Sequence, residues 1–81
     1  MKGREVLRNY RIGERNFSRA RLANAILYGA DLRRADLTET NLEDADLRGA
    51  NLFKAVVEQH QLDQAKYLEH VILPDGTRYG Q

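Results

Sequence analysis

From Phe17 to Tyr67 every fifth residue is apolar or aromatic: Phe17, Leu22, Leu27, Leu32, Leu37, Leu42, Leu47, Leu52, Val57, Leu62 and Tyr67. With 42% hydrophobic residues overall, an unbroken run of this kind has a chance on the order of 10⁻⁴, so a tandem repeat comes first. Two residues earlier the chain prefers alanine, at Ala20, Ala25, Ala30, Ala35, Ala45, Ala50, Ala55 and Ala65, with Thr40 and His60 as breaks. Asp31, Asp36, Asn41, Asp46 and Asn51 fall between the two.

A spacing of five suits neither a helix, which wants apolar offsets of three and four, nor a strand, which wants two. It suits a square coil in which each unit is one side. Four units then make a turn, and each residue stacks on the one twenty positions later, with coils about 4.8 Å apart and backbone pairing between them. The large residue fills the core from the middle of a side. Alanine fits the narrow shaft near the corner, and Asp or Asn hydrogen-bonds the turn backbone. The two remaining positions point outward.

Units such as Ala30-Asp31-Leu32-Arg33-Arg34, Ala35-Asp36-Leu37-Thr38-Glu39, Ala45-Asp46-Leu47-Arg48-Gly49 and Ala50-Asn51-Leu52-Phe53-Lys54 resemble the A(D/N)LXX motif of the pentapeptide repeat family. The resemblance covers roughly residues 15–69. It implies an all-β fold, a right-handed quadrilateral β-helix of about three coils.

The ends follow other rules. Residues 1–14 are expected to form a capping helix over 3–11 and a connector, with Val6, Leu7 and Tyr10 on one face and Gly13 as the stop. That face would cover Phe17, Leu22, Leu27 and Leu32. After Tyr67 the beat fails, with an extra residue expected in Leu68-Glu69-His70-Val71. Over 70–81, Pro74-Asp75-Gly76 predicts a turn that pairs Val71-Ile72-Leu73 with Thr77-Arg78-Tyr79 as a hairpin cap. The hairpin would leave part of the last layer open. Val57, Leu62, Tyr67 and Ile72 are therefore the candidate layer for end-to-end homodimerisation.

Composition narrows the function classes. An 81-residue chain is one small domain, and 13 basic against 12 acidic residues advertise no global polyelectrolyte. There is no Cys, hence no disulfide or thiolate metal site. The N-terminus lacks the apolar run of a signal peptide and no stretch is long enough to span a membrane, so a cytoplasmic protein is expected. Met1 and the two caps suggest a free-standing unit.

Stacking at twenty residues sorts the outward positions by side. Glu39, Glu43, Asp44, Glu58 and Asp63 fall on the first and second sides; Arg33, Arg34, Arg48, Lys54 and Lys66 fall on the third and fourth. Exposed aromatic residues beside arginines resemble interface anchors. Tyr28, Arg33, Arg34, Arg48, Phe53 and Lys54 are thus the candidate contact surface for a protein partner.

No catalytic, metal or cofactor constellation is legible. His60, in an alanine position, reads as a packed or end-capping residue and lies on the opposite side of the square from His70. The acidic pairs sit on a convex coil with no implied cleft. The leading expectation is a small non-enzymatic interaction module. The family's best-understood members imply a second reading, a DNA-mimicking rod that protects a type II topoisomerase, but this chain is short and nearly neutral. A third, nucleic-acid binding by the basic third and fourth sides, has a weak electrostatic footprint.

Overall fold

The computed structural model describes residues 2–80. Its coils pair in parallel at an offset of twenty: Asn16 with Asp36, Arg21 with Asn41, Ile26 with Asp46, Asp31 with Asn51, and Asp36 with Val56. Each contact is a single-residue bridge, and no continuous strand forms among the described residues. The chain turns a corner after every bridge, which leaves no length for one.

The unit Ala45–Gly49 shows how a five-residue side satisfies its own backbone. The Ala45 N–H donates to the Leu42 carbonyl (3.0 Å) and closes the corner. The Asp46 N–H reaches up to Ala25 (2.9 Å), while Leu47 and Gly49 reach down to Tyr67 (3.0 Å) and Glu69 (2.9 Å). The Arg48 N–H has no neighbouring coil carbonyl and donates instead to Asp46 Oδ1 at 3.1 Å. The same turn recurs from Asp31, Asp36, Asn41 and Asn51. The last residue of most units is left-handed: Arg19, Asn24, Arg34, Glu39, Asp44 and Lys54 have φ between 58° and 65°.

Side-chain burial follows the pattern. Phe17 and the leucines at every fifth position through Leu52 are at most 2% exposed, with Ala25, Ala30, Ala35, Ala45, Ala50 and Ala55 buried between them. α1 spans Gly3–Arg11. Val6 is fully buried and Leu7 and Tyr10 pack on the core. The contact is close: a Cβ on Gly3 would come within 3.3 Å of Ala25 Cβ. Gly13, at φ 105°, lets the chain leave the helix.

The third coil departs from the expectation. A short helix, α2 (Gln59–Leu62), replaces its second side. Leu62 still reaches the core, but Gln61 is also buried, at 4% exposure. Its Nε2 donates to the Leu37 and Thr40 carbonyls (2.8 and 3.2 Å) and lies 3.0 Å from Thr40 Oγ1; its Oε1 accepts from the Glu58 N–H (2.8 Å). Thr40 thus stands in an alanine position because it meets Gln61. His60, expected to be packed, instead has an exposed side chain on α2.

The extra residue enters before Tyr67, not after it. Ala45 accepts from both Lys66 (2.8 Å) and Tyr67 (3.4 Å), two residues facing one as in a bulge. From there the offset is twenty-one: Asp46 pairs with Tyr67 and Asn51 with Ile72. Tyr67 and Ile72, expected in the terminal layer, therefore take the outward Asp/Asn position. Leu68, expected outward on the third side, and Leu73 turn inward in their place. The last layer is Val57, Leu62, Leu68 and Leu73, of which all but Leu62 are only half-buried.

Coil pairing continues to Pro74, whose carbonyl accepts from Lys54 (2.9 Å). The closing hairpin is present: Ile72 pairs antiparallel with Arg78, and Leu73 and Tyr79 donate to Thr77 and Val71 (both 2.7 Å). Gly76, at φ 90°, completes the turn.

Candidate interaction surface

The register change creates a surface feature. Because Tyr67 faces outward beneath Asp46, its ring lies 4.6 Å from the Arg48 guanidinium. Tyr28, one coil above, lies 5.2 Å from the same group. Arg48 is held in place by two hydrogen bonds to Asp46, 2.9 and 2.7 Å. The result is a ladder, Tyr28–Arg48–Tyr67, across three coils of the third side. Cation–π contacts at exposed sites contribute about 0.5–1 kcal/mol each. Beside the ladder lies Ile26, 73% exposed, with Tyr28 at 65%. Ile26 occupies a position that holds Asp or Asn in most other units, so it makes no turn hydrogen bond and offers apolar surface instead.

Arg33, Arg34, Phe53 and Lys54 fall on the fourth side, apart from the ladder. Arg33 is locked to Asp31 through Nε and Nη2, 2.9 and 2.8 Å. Tyr10 donates to the Arg33 carbonyl at 2.8 Å and ties α1 to this side. Arg34 forms no ion pair among the described residues. Phe53 leans against Gly76, where an added Cβ would lie 3.3 Å from its ring, and Lys54 Nζ sits 5.3 Å from the ring centre. Tyr10, Arg15, Arg33, Arg34 and Phe53 line a shallow hollow of about 300 Å³.

The six sequence candidates thus divide into two clusters on adjacent sides. Two of their arginines are neutralised by an aspartate two residues earlier. Tyr67, Ile26, Tyr10 and Arg15 were missing from that set. Ile26 had a signal, an apolar residue in an Asp/Asn position; Tyr67 had none, because it stays in frame with the core residues.

The carboxylate environments are structural. Asp31 falls to about 2, first because Arg33 hydrogen-bonds its side chain. Asp46 is lowered by Arg48, and Asp36 and Asp75 by the hydroxyls of Thr38 and Thr77. Each is held ionised by its own turn. Among the described residues no group of His, Cys, Asp and Glu could hold a metal ion, and no helix is long and apolar enough to cross a membrane.

Compared with protein families, residues 16–52 match pentapeptide repeats in eight copies. No curated protein and no solved structure matches the chain.

Proposed function

We infer, for a chain that belongs to the pentapeptide repeat family through the eight copies in residues 16–52, that it acts as a small non-enzymatic protein-interaction module. The coil is right-handed and quadrilateral, as the family implies, and the protein works in the cytoplasm. The observation that carries the reading is the third side: Ile26 and Tyr28 are mostly exposed next to an arginine already fixed by Asp46. A preset guanidinium flanked by aromatic rings presents a rigid anchor at low entropic cost. Arg34 and Phe53 extend the contact on the fourth side.

The test is capture from nuclease-treated lysate of the native source, followed by titration of the captured protein. Ile26→Ser/Tyr28→Ser should weaken binding by at least about tenfold, the loss of one anchor. Retention of full affinity by this variant and by Arg34→Glu/Phe53→Ser would overturn the reading.

The alternative, a DNA-mimicking topoisomerase protector, needs a long acidic rod. Three coils with 13 basic and 12 acidic residues weigh against it. A second mode of association is end-to-end pairing through Val57, Leu68 and Leu73, supported by their partial exposure. Sedimentation over a range of concentrations tests it; a monomer throughout would reject it.

A further inference from the structure

The near-zero net charge hides a bipolar molecule. Residues 1–34 hold nine of the 13 basic side chains and three of the 12 acidic ones, a net of +6. Residues 35–81 hold the other four and nine, a net of −5. The first group is α1 with the first coil; the second is the remaining coils and the hairpin. A helix packs about 8–10 Å from its neighbour, and the third coil lies two spacings of about 4.8 Å beyond the first. The second coil, which holds a net of −3 of this charge, therefore lies about 14 Å from the helix and the third about 20 Å. At physiological salt the screening length is about 8 Å, so the acidic pole does little to cancel the field at the basic one.

At that pole the cations are ordered. Arg4, Arg8 and Arg11 recur at offsets of four and three, which puts them on one helix face. All three are exposed, opposite the buried Gly3 and Val6. Lys2 and Arg21 flank the helix start, where they and Arg4 line an open depression of about 700 Å³ whose one carboxylate is Glu5. None of these five cations forms an ion pair among the described residues. The C-terminal end of the helix dipole favours Arg8 and Arg11 in the last turn, but no side chain among the described residues neutralises the three arginines.

We propose that the solvent face of α1, Arg4, Arg8 and Arg11 with Lys2 and Arg21 at its flank, binds the phosphodiester backbone of nucleic acid without regard to sequence. Guanidinium forks match phosphate oxygens in pairs. An anionic membrane fits less well. A helix lying on a membrane needs an apolar face to insert, and the face of Val6, Leu7 and Tyr10 is already packed on the first coil. None of the five residues belongs to the protein-contact surface, so the two readings stand or fall separately.

The experiment is fluorescence anisotropy with a short mixed-sequence DNA duplex, a short RNA strand and phosphatidylserine vesicles, each titrated across salt. Five neutralised phosphates predict a log–log salt slope of about −4.5 on duplex, and an affinity loss of about 500-fold between 50 and 200 mM salt. Arg4→Gln/Arg8→Gln/Arg11→Gln should flatten the slope to about −2. Its helix content should stay unchanged, since glutamine is a good helix former. Absence of binding to both nucleic acids at 50 mM salt, a slope the triple variant leaves unmoved, or binding confined to the vesicles would each overturn the proposal.

Discussion

Among the described residues, seven that carry a Cβ are held at positive φ, and six of them close a regular five-residue unit. A left-handed conformation costs an ordinary residue about 1–2 kcal/mol and glycine almost nothing. The position is therefore read in sequence only where Gly29 and Gly49 occupy it; Arg34 or Glu39 gives no hint. Asp44, at φ 59° and with an exposed side chain, offers a direct check. Asp44→Val should destabilise by about 1–2 kcal/mol in urea unfolding, while Asp44→Gly should not. The Asp/Asn position was legible, because short polar side chains that bond their own turn are common knowledge of turn chemistry. Asp31 adds a charge to that role. Its folded-state pKa is about 2 against 3.8 for the free residue, so its contribution is complete above about pH 4 and is lost as pH falls toward 2. Asn41 and Asn51 make the same turn, so Asp31→Asn keeps the fold. It should flatten the fall in melting temperature over that acid window; an unchanged pH profile would contradict the Arg33 pairing.

At the scale of elements, α1 was readable from its amphipathic face and Gly13, and the hairpin from Pro74-Asp75-Gly76. α2 was not. Leu62 keeps the five-residue frame although the backbone beneath it is helical, and the bulge at Lys66 turns Tyr67 outward although in sequence it stays on the five-residue beat. The real signals were the two breaks in the alanine column, Thr40 and His60. Thr40 marks the residue that receives Gln61, and His60 marks the helix. This pairing predicts coupling. Gln61→Leu strips partners from the Leu37 and Thr40 carbonyls and should cost about 1–3 kcal/mol. Thr40→Ala restores the repeat's usual residue and should cost less, with the double variant milder than the sum. Strict additivity would mean that the two side chains do not act together. α1 is tested in the same way: Val6→Asp buries a charge against the first coil and should cost at least about 3 kcal/mol, read as loss of cooperative unfolding.

The whole molecule is a stack with unlike ends, 31 Å in its longest dimension. One end is closed by a basic helix and the other is half-covered by a hairpin, with nine of the 12 acidic side chains beyond the first coil. Sorting charge by side, as stacking invites, missed this, because the larger asymmetry runs from the first coil to the last. The proposed contact surface depends on the same architecture. Tyr28, Arg48 and Tyr67 meet only because one extra residue in the third coil turns Tyr67 out of the core.

That register is the point on which the account turns, and hydrogen-bond scalar couplings measured by NMR test it directly. The structure predicts a coupling from the Leu47 amide to the Tyr67 carbonyl and from the Leu52 amide to the Ile72 carbonyl. Couplings to Lys66 and Val71 instead would restore an offset of twenty, return Tyr67 to the core and remove the ladder on which the proposed contact rests.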